Sequence, residues 1–170
     1  MKRASRRRRA ALLTWLVLAA ASWPNGAVLA EPVKIAVLDL ELIDTSGEGE
    51  TREQFDRLRL VSAEMRTLLE ESDMFRVVDL APAAGQVEAA GYIHGCNGCE
   101  IDIARGLGAR LVLVGTVHKV SSLVLSVSVV ITDTRTEKVV RVRTVAFRGN
   151  TDESWLRGVR YLVRNYLVAE

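Results

Sequence analysis

Apolar residues in the first half of the chain repeat with two different periods, which predict a strand, a helix and a second strand. The segment 33–44, VKIAVLDLELID, is rich in β-forming residues and apolar on both faces near its start, as a buried strand is. The segment 75–80, FRVVDL, predicts another strand. Between them, residues 51–71 carry apolar side chains at helical spacing, namely Phe55, Leu58, Met65, Leu68 and Leu69. This order predicts a right-handed crossover with the two strands parallel.

The second half of the chain predicts two helical segments and then three strands. Residues 81–92, APAAGQVEAAGY, indicate a weak helix or an irregular connection, and EIDIARGLGA predicts a short helix that Gly108 ends. The strands are expected at 110–120, 123–133 and 139–149. In the middle strand alternate apolar residues share one face, namely Leu123, Leu125, Val127, Val129 and Ile131.

The last segment, residues 150–170, predicts an amphipathic helix. Asn150 and Glu153 have the spacing of a capping box. The expected buried stripe is Trp155, Val159, Leu162 and Tyr166. The order of elements is therefore β-α-β-(α)-α-β-β-β-α, which predicts an α/β fold: a mixed sheet (α+β in part) of about five strands with helices packed on it.

The N-terminus has the pattern of a cleaved signal peptide. Basic residues up to Arg9 precede an apolar run of thirteen residues, shorter than the roughly 20 that span a membrane. Val28 and Ala30 suit the −3 and −1 positions of a signal-peptidase site. We therefore expect a signal peptide at 1–30 and a single periplasmic α/β domain at 31–170, without stable membrane insertion after cleavage. The pattern leaves open whether the general secretory or the twin-arginine route exports the chain.

Removing the signal reverses the sign of the net charge. The whole chain has 23 basic and 21 acidic side chains, and six of the basic ones lie in the first 30 residues. The remaining 140 residues carry a net charge of −4, with 17 basic and 21 acidic side chains. The basicity of the full sequence is therefore no argument for nucleic acid, and we expect no nucleic-acid partner.

Both cysteines lie in the segment HGCNGCEIDIARGLG, where several kinds of site compete. Covalent haem requires His directly after Cys-x-x-Cys, and Glu100 stands there. Zinc requires three or four ligands, and His94, Cys96, Cys99 and the distant His118 do not have the spacing of a zinc finger or ribbon. We therefore predict no metal site and no cofactor.

A disulfide between Cys96 and Cys99 is the favoured interpretation, because exported thiols tend to oxidise. So small a ring stabilises the fold by only about 2 kcal/mol, so the bond would shape the loop. A redox role remains open, because a helix N-terminus can stabilise the thiolate of Cys96. No proline follows the motif, which argues against a thioredoxin-like protein.

Other polar residues predict binding surfaces and no catalytic centre. His94 and Asn97 flank the cysteines, and acidic residues at Asp39, Glu41 and Asp44 predict a solvated loop or, less favoured, a cation site without EF-hand spacing. His118 is expected to be a strand residue. The last helix carries a basic stripe suited to an acidic partner, namely Arg157, Arg160 and Arg164.

Two family resemblances sharpen these expectations. The segment IARGLGARLVLVGTVHKVSSLVLSVSVVITDTRTEKVVR resembles exported α/β domains of the TolB N-terminal and CsgG-like type. More closely, the segments AVLDLELIDTSGEGE, VVDLAPA, CNGCEIDIARGLGA, VHKVSSLVLS and RGNTDESWLRGVRYLVRN resemble an uncharacterised exported bacterial family, a domain of unknown function of the DUF3280 type. The resemblance implies an association with periplasmic quinoprotein (PQQ-dependent) alcohol oxidation in methylotroph-like bacteria. It implies no catalytic residues.

These observations predict a periplasmic accessory or binding module that is not an enzyme and that docks on an envelope protein partner. Two alternatives belong to other functional classes. One is a thiol–disulfide redox protein that uses the Cys-x-x-Cys pair, and the other is a small-ligand or metal carrier. The sequence does not specify the ligand, the partner or the oligomeric state.

Overall fold

The computed structural model describes residues 31–169, so the predicted signal peptide at 1–30 lies outside the described residues. The strands are β1 (Val33–Val37), β2 (Glu41–Asp44), β3 (Phe75–Val77), β4 (Leu111–Lys119), β5 (Val124–Asp133) and β6 (Lys138–Arg148). The α-helices are α1 (Arg52–Glu70), α2 (Ala84–Ala90), α3 (Cys99–Gly106) and α4 (Asp152–Leu162). Two 3₁₀ turns cover Ala81–Ala83 and Ile93–Gly95, and a π-helical turn covers Val163–Leu167.

All six strands form one mixed sheet. The order is β3-β1-β4-β5-β6, and β2 pairs with β4 beyond the end of β1. β1 runs parallel to β3 and to β4, whereas β4, β5 and β6 are antiparallel neighbours. The mixed α/β sheet and the parallel pairing of the strands on either side of α1 confirm the predicted fold class.

The segment 33–44, expected to be one strand, is two strands in the structure. Residues 38–40 leave the sheet between β1 and β2, and this break raises the strand number from the expected five to six. The amide of Leu40 donates to Ser62 Oγ of α1 at 2.8 Å. A helix side chain thus replaces the sheet partner of that amide, which keeps the buried donor satisfied.

The sheet has a core on each of its faces. The larger core lies between the sheet and helices α1 and α4, and the smaller one lies under α2 and α3. Alternate residues of β1 supply both, since Ile35 and Val37 belong to the larger core and Ala36 to the smaller one, which Leu38 joins directly after the strand. Both helical layers therefore depend on the same central strands.

Helix α1 buries a different set of residues from the one predicted. Phe55 is exposed, whereas Gln54 is buried because its side chain accepts from the amide of Thr51 in a capping box. Leu58, Met65 and Leu69 are buried as expected. The polar cap therefore places one amide side chain where periodicity alone expects an apolar residue.

Helix α4 begins and ends differently from the prediction. Thr151 is the N-cap and forms its capping box with Ser154. Asn150 instead accepts a hydrogen bond from Trp155 Nε1 at 3.0 Å. Beyond the helix, the amide of Val168 donates to the carbonyl of Val163 at 3.0 Å.

The π-helical turn changes which side chain faces the core at the end of α4. It adds a residue to the turn, so Leu167 faces the core and Tyr166 is exposed. The predicted burial of Tyr166 is therefore wrong. Leu123, expected to share one face of the strand with Leu125, precedes β5 and is exposed.

One side of the β4–β6 region has little helical cover, and we call it the open face. Its side chains point away from α4 and occupy three cross-strand rows, Val114–Val130–Val142, Thr116–Ser128–Thr144 and His118–Ser126–Ala146. Val130 and Val142 are exposed there, and Ser128 Oγ lies 2.9 Å from Thr144 Oγ1. Within residues 31–169, no helix is both long and apolar enough to cross a membrane.

Candidate binding site beside the open face

A disulfide loop, residues 93–99, connects a 3₁₀ turn to the start of α3. Cys96 and Cys99 are joined by a disulfide bond with Cα atoms 5.6 Å apart. Asn97 and Gly98, between the cysteines, both have positive φ angles of 53° and 107°. Glycine adopts this conformation easily and asparagine tolerates it, so the sequence between the cysteines suits the tight ring.

Glu100 fixes the loop from the first turn of α3. Its carboxylate accepts from the amide of Gly98 at 3.1 Å and lies 3.3 Å from Cys96 Sγ. If the disulfide were reduced, this negative charge would oppose a thiolate on Cys96. The carboxylate therefore acts against the stabilisation that the N-terminus of α3 would give such a thiolate.

Cys96, Cys99 and Glu100 form the one cluster with metal-ligand geometry in the described part of the chain. The ligand atoms of Cys96, Cys99 and Glu100 all lie within 4.8 Å of one another. Zinc binds cysteine as thiolate, and in the disulfide neither sulfur is available. A metal could bind there only after reduction.

Glu41 of β2 ties the other end of the loop to the sheet. Its carboxylate accepts from the amides of Ile93 and His94 at 2.6 Å and 3.0 Å, and it also contacts His94 Nδ1. This contact holds the imidazole at Nδ1. The ring of Tyr92 packs edge-on against that of His94, with centroids 5.8 Å apart.

A cavity of about 230 Å³ lies between the disulfide loop and the open face. Its apolar side chains come from Ile93, Val114 and Val130, and its polar lining from His94, Asn97, Gly98, Glu100 and Thr132. The lining includes no serine and no free thiol. The cavity can therefore offer an imidazole, an amide, a carboxylate and the hydroxyl of Thr132 to a bound group.

His118 lies on the open face with its imidazole held by a neighbouring loop. Its Nε2 is 2.8 Å from Thr45 Oγ1, just after β2. Its neighbours across the ladder are Ile43 and Ser126. Both histidines of the chain are thus on the same side of the sheet, each engaged with a residue from the β2 region.

The predicted acidic run does not form one site, because its members pair with separate cations. Asp39 accepts from Arg66 of α1 at 2.7 Å, and Glu41 belongs to the disulfide loop. Asp44 and Glu48 each lie 3.0 Å from Lys119 Nζ. The ammonium group of Lys119 therefore binds Asp44, for which the sequence analysis had considered an external cation, together with Glu48.

Lys119 is the buried charge that sequence patterns missed. It is 1% exposed, and its Nζ also donates to Ser46 Oγ at 2.9 Å. Burial by itself lowers the pKa of Lys119, but hydrogen bonds to Glu48 and Asp44 outweigh it and raise the pKa. Lys119 lies on the inner face of β4 with Val117 and Leu113, and this alternation could have indicated from the sequence that Lys119 is buried.

The partner carboxyls respond in the opposite sense. The pKa of Asp44 is lowered, chiefly by the hydroxyl of Ser46, which donates to it at 2.6 Å. The pKa of Glu48 is lowered, chiefly by the hydrogen bond from Lys119. All three groups are therefore held in their charged forms, and the loop after β2 is fixed to the end of β4.

The basic stripe of α4 lies on the opposite side of the sheet from the disulfide loop. Arg160 donates to Glu64 of α1 at 2.6 Å, and Arg157 lies 3.5 Å from Glu153. Arg164 is exposed beside Tyr161. The structure therefore brings His94, Asn97, Glu41 and His118 to one side of the sheet and places Arg157, Arg160 and Arg164 on another surface.

The comparison with protein families covers almost all of the described chain. Residues 33–167 match the model of DUF3280, described as "Protein of unknown function (DUF2380)". The chain belongs to this family. The family's description assigns no activity. No curated protein matches the sequence.

Several solved structures share the fold of this DUF3280 domain. The LpoB C-terminal domain from Escherichia coli has 16% sequence identity and a TM-score of 0.52, and the match covers 71% of this chain and 84% of that chain. PelC from Paraburkholderia phytofirmans, a dodecamer, has 16% identity, coverage of 79% and 88%, and a TM-score of 0.52. Lipoprotein GNA1162 from Neisseria meningitidis has 18% identity, coverage of 80% and 99%, and a TM-score of 0.51. These similarities show the fold alone, and the resemblance to TolB and CsgG-like domains stays a prediction.

Proposed function

We propose that this DUF3280 domain is a non-enzymatic binding module of the bacterial cell envelope. The observation that carries the proposal is that the reactive side chains around the disulfide loop and on β4 hold the structure in place. Glu41, Glu100 and the cysteines hold the disulfide loop in place, and His118 is bonded to Thr45. What this framework leaves accessible is the open face, whose exposed valines and hydroxyls suit contact with a protein.

The cell-envelope location rests on two supports. The predicted signal peptide and the disulfide both suit an oxidising compartment outside the inner membrane. Among proteins of similar fold, GNA1162 is a lipoprotein and PelC forms a dodecamer. The proposed periplasmic module with an envelope protein partner is in keeping with both.

Photo-crosslinking in living cells tests this function. A photoreactive amino acid replaces Val130 or Thr144 on the open face, and Arg59 on the outer surface of α1 serves as the exposed control. We expect a crosslinked protein of constant mass from the open-face positions and none from Arg59. Absence of any such product under several growth conditions would refute the binding function.

A redox function is the main competitor, and the reduction potential of the disulfide distinguishes it. Structural disulfides have potentials below about −300 mV, and catalytic ones lie higher. The carboxylate of Glu100 beside Cys96 leads us to expect a value in the structural range. A potential near that of known thiol oxidoreductases, with turnover of a dithiol substrate, would favour the redox protein.

A small-ligand carrier fits the structure less well. The cavity between the disulfide loop and the open face holds about 230 Å³, below the roughly 300–1,000 Å³ of drug-sized ligand sites. A second cavity of about 340 Å³ is lined by the loop and by Ile101, Asp102 and Glu137, and this lining is mainly polar, whereas ligand sites are mainly apolar. The link to quinoprotein alcohol oxidation rests on the family resemblance. Growth of a deletion strain on methanol and on longer alcohols tests that link directly.

A further inference from the structure

The outer edge of the sheet is a long strand with unusual charge. β6 pairs with β5 on one side, and within residues 31–169 no strand pairs with its other side. It is eleven residues long, whereas β3 at the opposite edge has three. An unpaired edge strand offers a row of free amide and carbonyl groups to another chain.

Charge is strongly divided along the domain, and β6 lies in the basic part. Residues 31–137 contain 10 basic and 18 acidic side chains, whereas residues 138–170 contain 7 basic and 3 acidic ones. β6 itself has four basic side chains and no acidic one, namely Lys138, Arg141, Arg143 and Arg148. None of the four forms an ion pair with any described residue.

The side chains of β6 are sorted between its two faces. Arg141 and Arg143 point to the α4 side, and Arg141 donates to the carbonyl of Leu167 at 2.7 Å. Val142 and Thr144 belong to the open face, where Val142 is 52% exposed. Arg148, opposite Val124 at the end of the strand, lies on the open-face side. A strand added along the middle of this edge would therefore meet Arg141 and Arg143 on one face and Val142 and Thr144 on the other.

We infer that β6 is the docking edge for an extended acidic segment of a partner protein, which adds to the sheet as a further strand. Its acidic side chains would alternate with apolar ones, the former against Arg143 and the latter against Val142. A second copy of this chain fits poorly, because pairing two β6 strands would bring their arginines together, and like charges opposite each other destabilise a sheet. The proposal goes beyond the binding function above, since it concerns the sheet edge and specifies the partner's chemistry.

Peptide binding to the purified full-length chain tests the proposal. The probe is a fluorescent extended peptide of alternating valine and glutamate, and the matched control has lysine in place of glutamate. We expect saturable binding of the glutamate peptide only, weakened by salt. Binding should also slow amide hydrogen exchange along β6, because added strands take up the edge hydrogen bonds.

Matched variants separate charge at the edge from charge elsewhere. Arg143→Glu, a charge reversal on the α4 side of the edge, should weaken the glutamate peptide at least about tenfold. Arg52→Glu, an exposed change at the start of α1, should leave its affinity unchanged. If this variant does not fold, as judged by amide hydrogen exchange, Arg143→Gln replaces it and should weaken binding in the same direction.

Several results would overturn the inference. They are equal binding of both peptides, no binding of either, or exchange protection confined to α4. A dimer of the chain protected along β6 would show a second copy at this edge. Binding only to anionic phospholipid vesicles would show a membrane surface instead. Each of these outcomes leaves the crosslinking test at Val130, which lies on β5, unaffected.

Discussion

Lys119 places an ammonium group inside the protein, where it is stable only because Asp44, Glu48 and Ser46 surround it. Removing one partner of a buried ion pair leaves the other charge without compensation, which is strongly destabilising. Lys119→Met should therefore lower the urea midpoint of unfolding several-fold more than Arg160→Met, which breaks a more exposed ion pair. Adding Asp44→Leu to Lys119→Met should recover part of the loss. Equal midpoints for the two single variants would show that the cluster contributes little.

Asp133 makes stability depend on pH at the β5–β6 turn. Its carboxylate binds Arg110 at 2.7 Å and accepts from the amides of Arg135 and Thr136. The hydrogen bond from Arg110 is the main reason that the pKa of Asp133 falls from 3.8 to about 2. A lowered pKa stabilises the fold above the ordinary value, and that contribution is lost as the pH falls toward the folded value.

Asp133→Asn tests this dependence. Asparagine keeps the side-chain oxygen for the turn and loses the charge, so the variant should be less stable than wild type at pH 7. The difference should narrow from about pH 4 downward and vanish near pH 2, by urea unfolding at each pH. The control, Asp102→Asn, alters an exposed carboxylate and should show a small difference at pH 7. A constant difference for Asp133→Asn down to pH 2 would contradict the assigned charge effect.

At the level of secondary-structure elements, local periodicity was sufficient wherever a residue's neighbours in sequence decide its environment. The alternation in β5 places Leu125, Val127 and Ile131 in the core as predicted. The break after β1 could not be predicted in this way, because it depends on Ser62, which lies 22 positions from Leu40. The pattern of 33–44 continues through the break, so only the packed helix reveals it.

In the candidate site, too, contacts between residues close in sequence were predictable and contacts between distant residues were not. The Cys96–Cys99 bond joins neighbours three positions apart, and spacing with compartment was enough to favour it. The Glu41–His94 contact spans 53 positions, and the sequence named both residues without joining them. Lys119 was hidden because lysine is seldom buried, and its carboxylates lie over 70 positions away.

Helix α4 packs closely on β6 at Gly158, where two effects oppose each other. An added Cβ would lie 2.8 Å from the ring of Phe147, so alanine must displace the ring or the helix. Helix propensity favours alanine by up to about 1 kcal/mol, whereas overpacking costs about 1–3 kcal/mol. Gly158→Ala should therefore be destabilising by up to about 2 kcal/mol in urea unfolding.

Gly85 in α2 is the matched control for that substitution. No atom lies within 4 Å of a Cβ built there, so only propensity acts. Gly85→Ala should stabilise the protein by about 0.5–1 kcal/mol. If both variants were stabilised, the contact between α4 and β6 would have to be looser than the structure shows.

Across the whole molecule, β1 and β4 hold the two cores together. Successive residues of β1 alternate between the cores, and in β4 Leu113 lies in the larger core while Val112 lies in the smaller one. Neither helical layer can separate without exposing side chains of these central strands. This sharing supports the prediction that residues 31–170 are a single domain.

The single-domain prediction requires one cooperative unfolding transition. In a chain without residues 1–30, Trp155 is the one remaining tryptophan, and it is buried in the larger core. Its fluorescence reports on that core, and amide hydrogen exchange in α3 reports on the smaller one. Because the central strands are shared, both measurements should give the same free energy of unfolding within error. A lower value for α3, insensitive to Trp155 unfolding, would show that the disulfide-bearing layer opens as a separate unit.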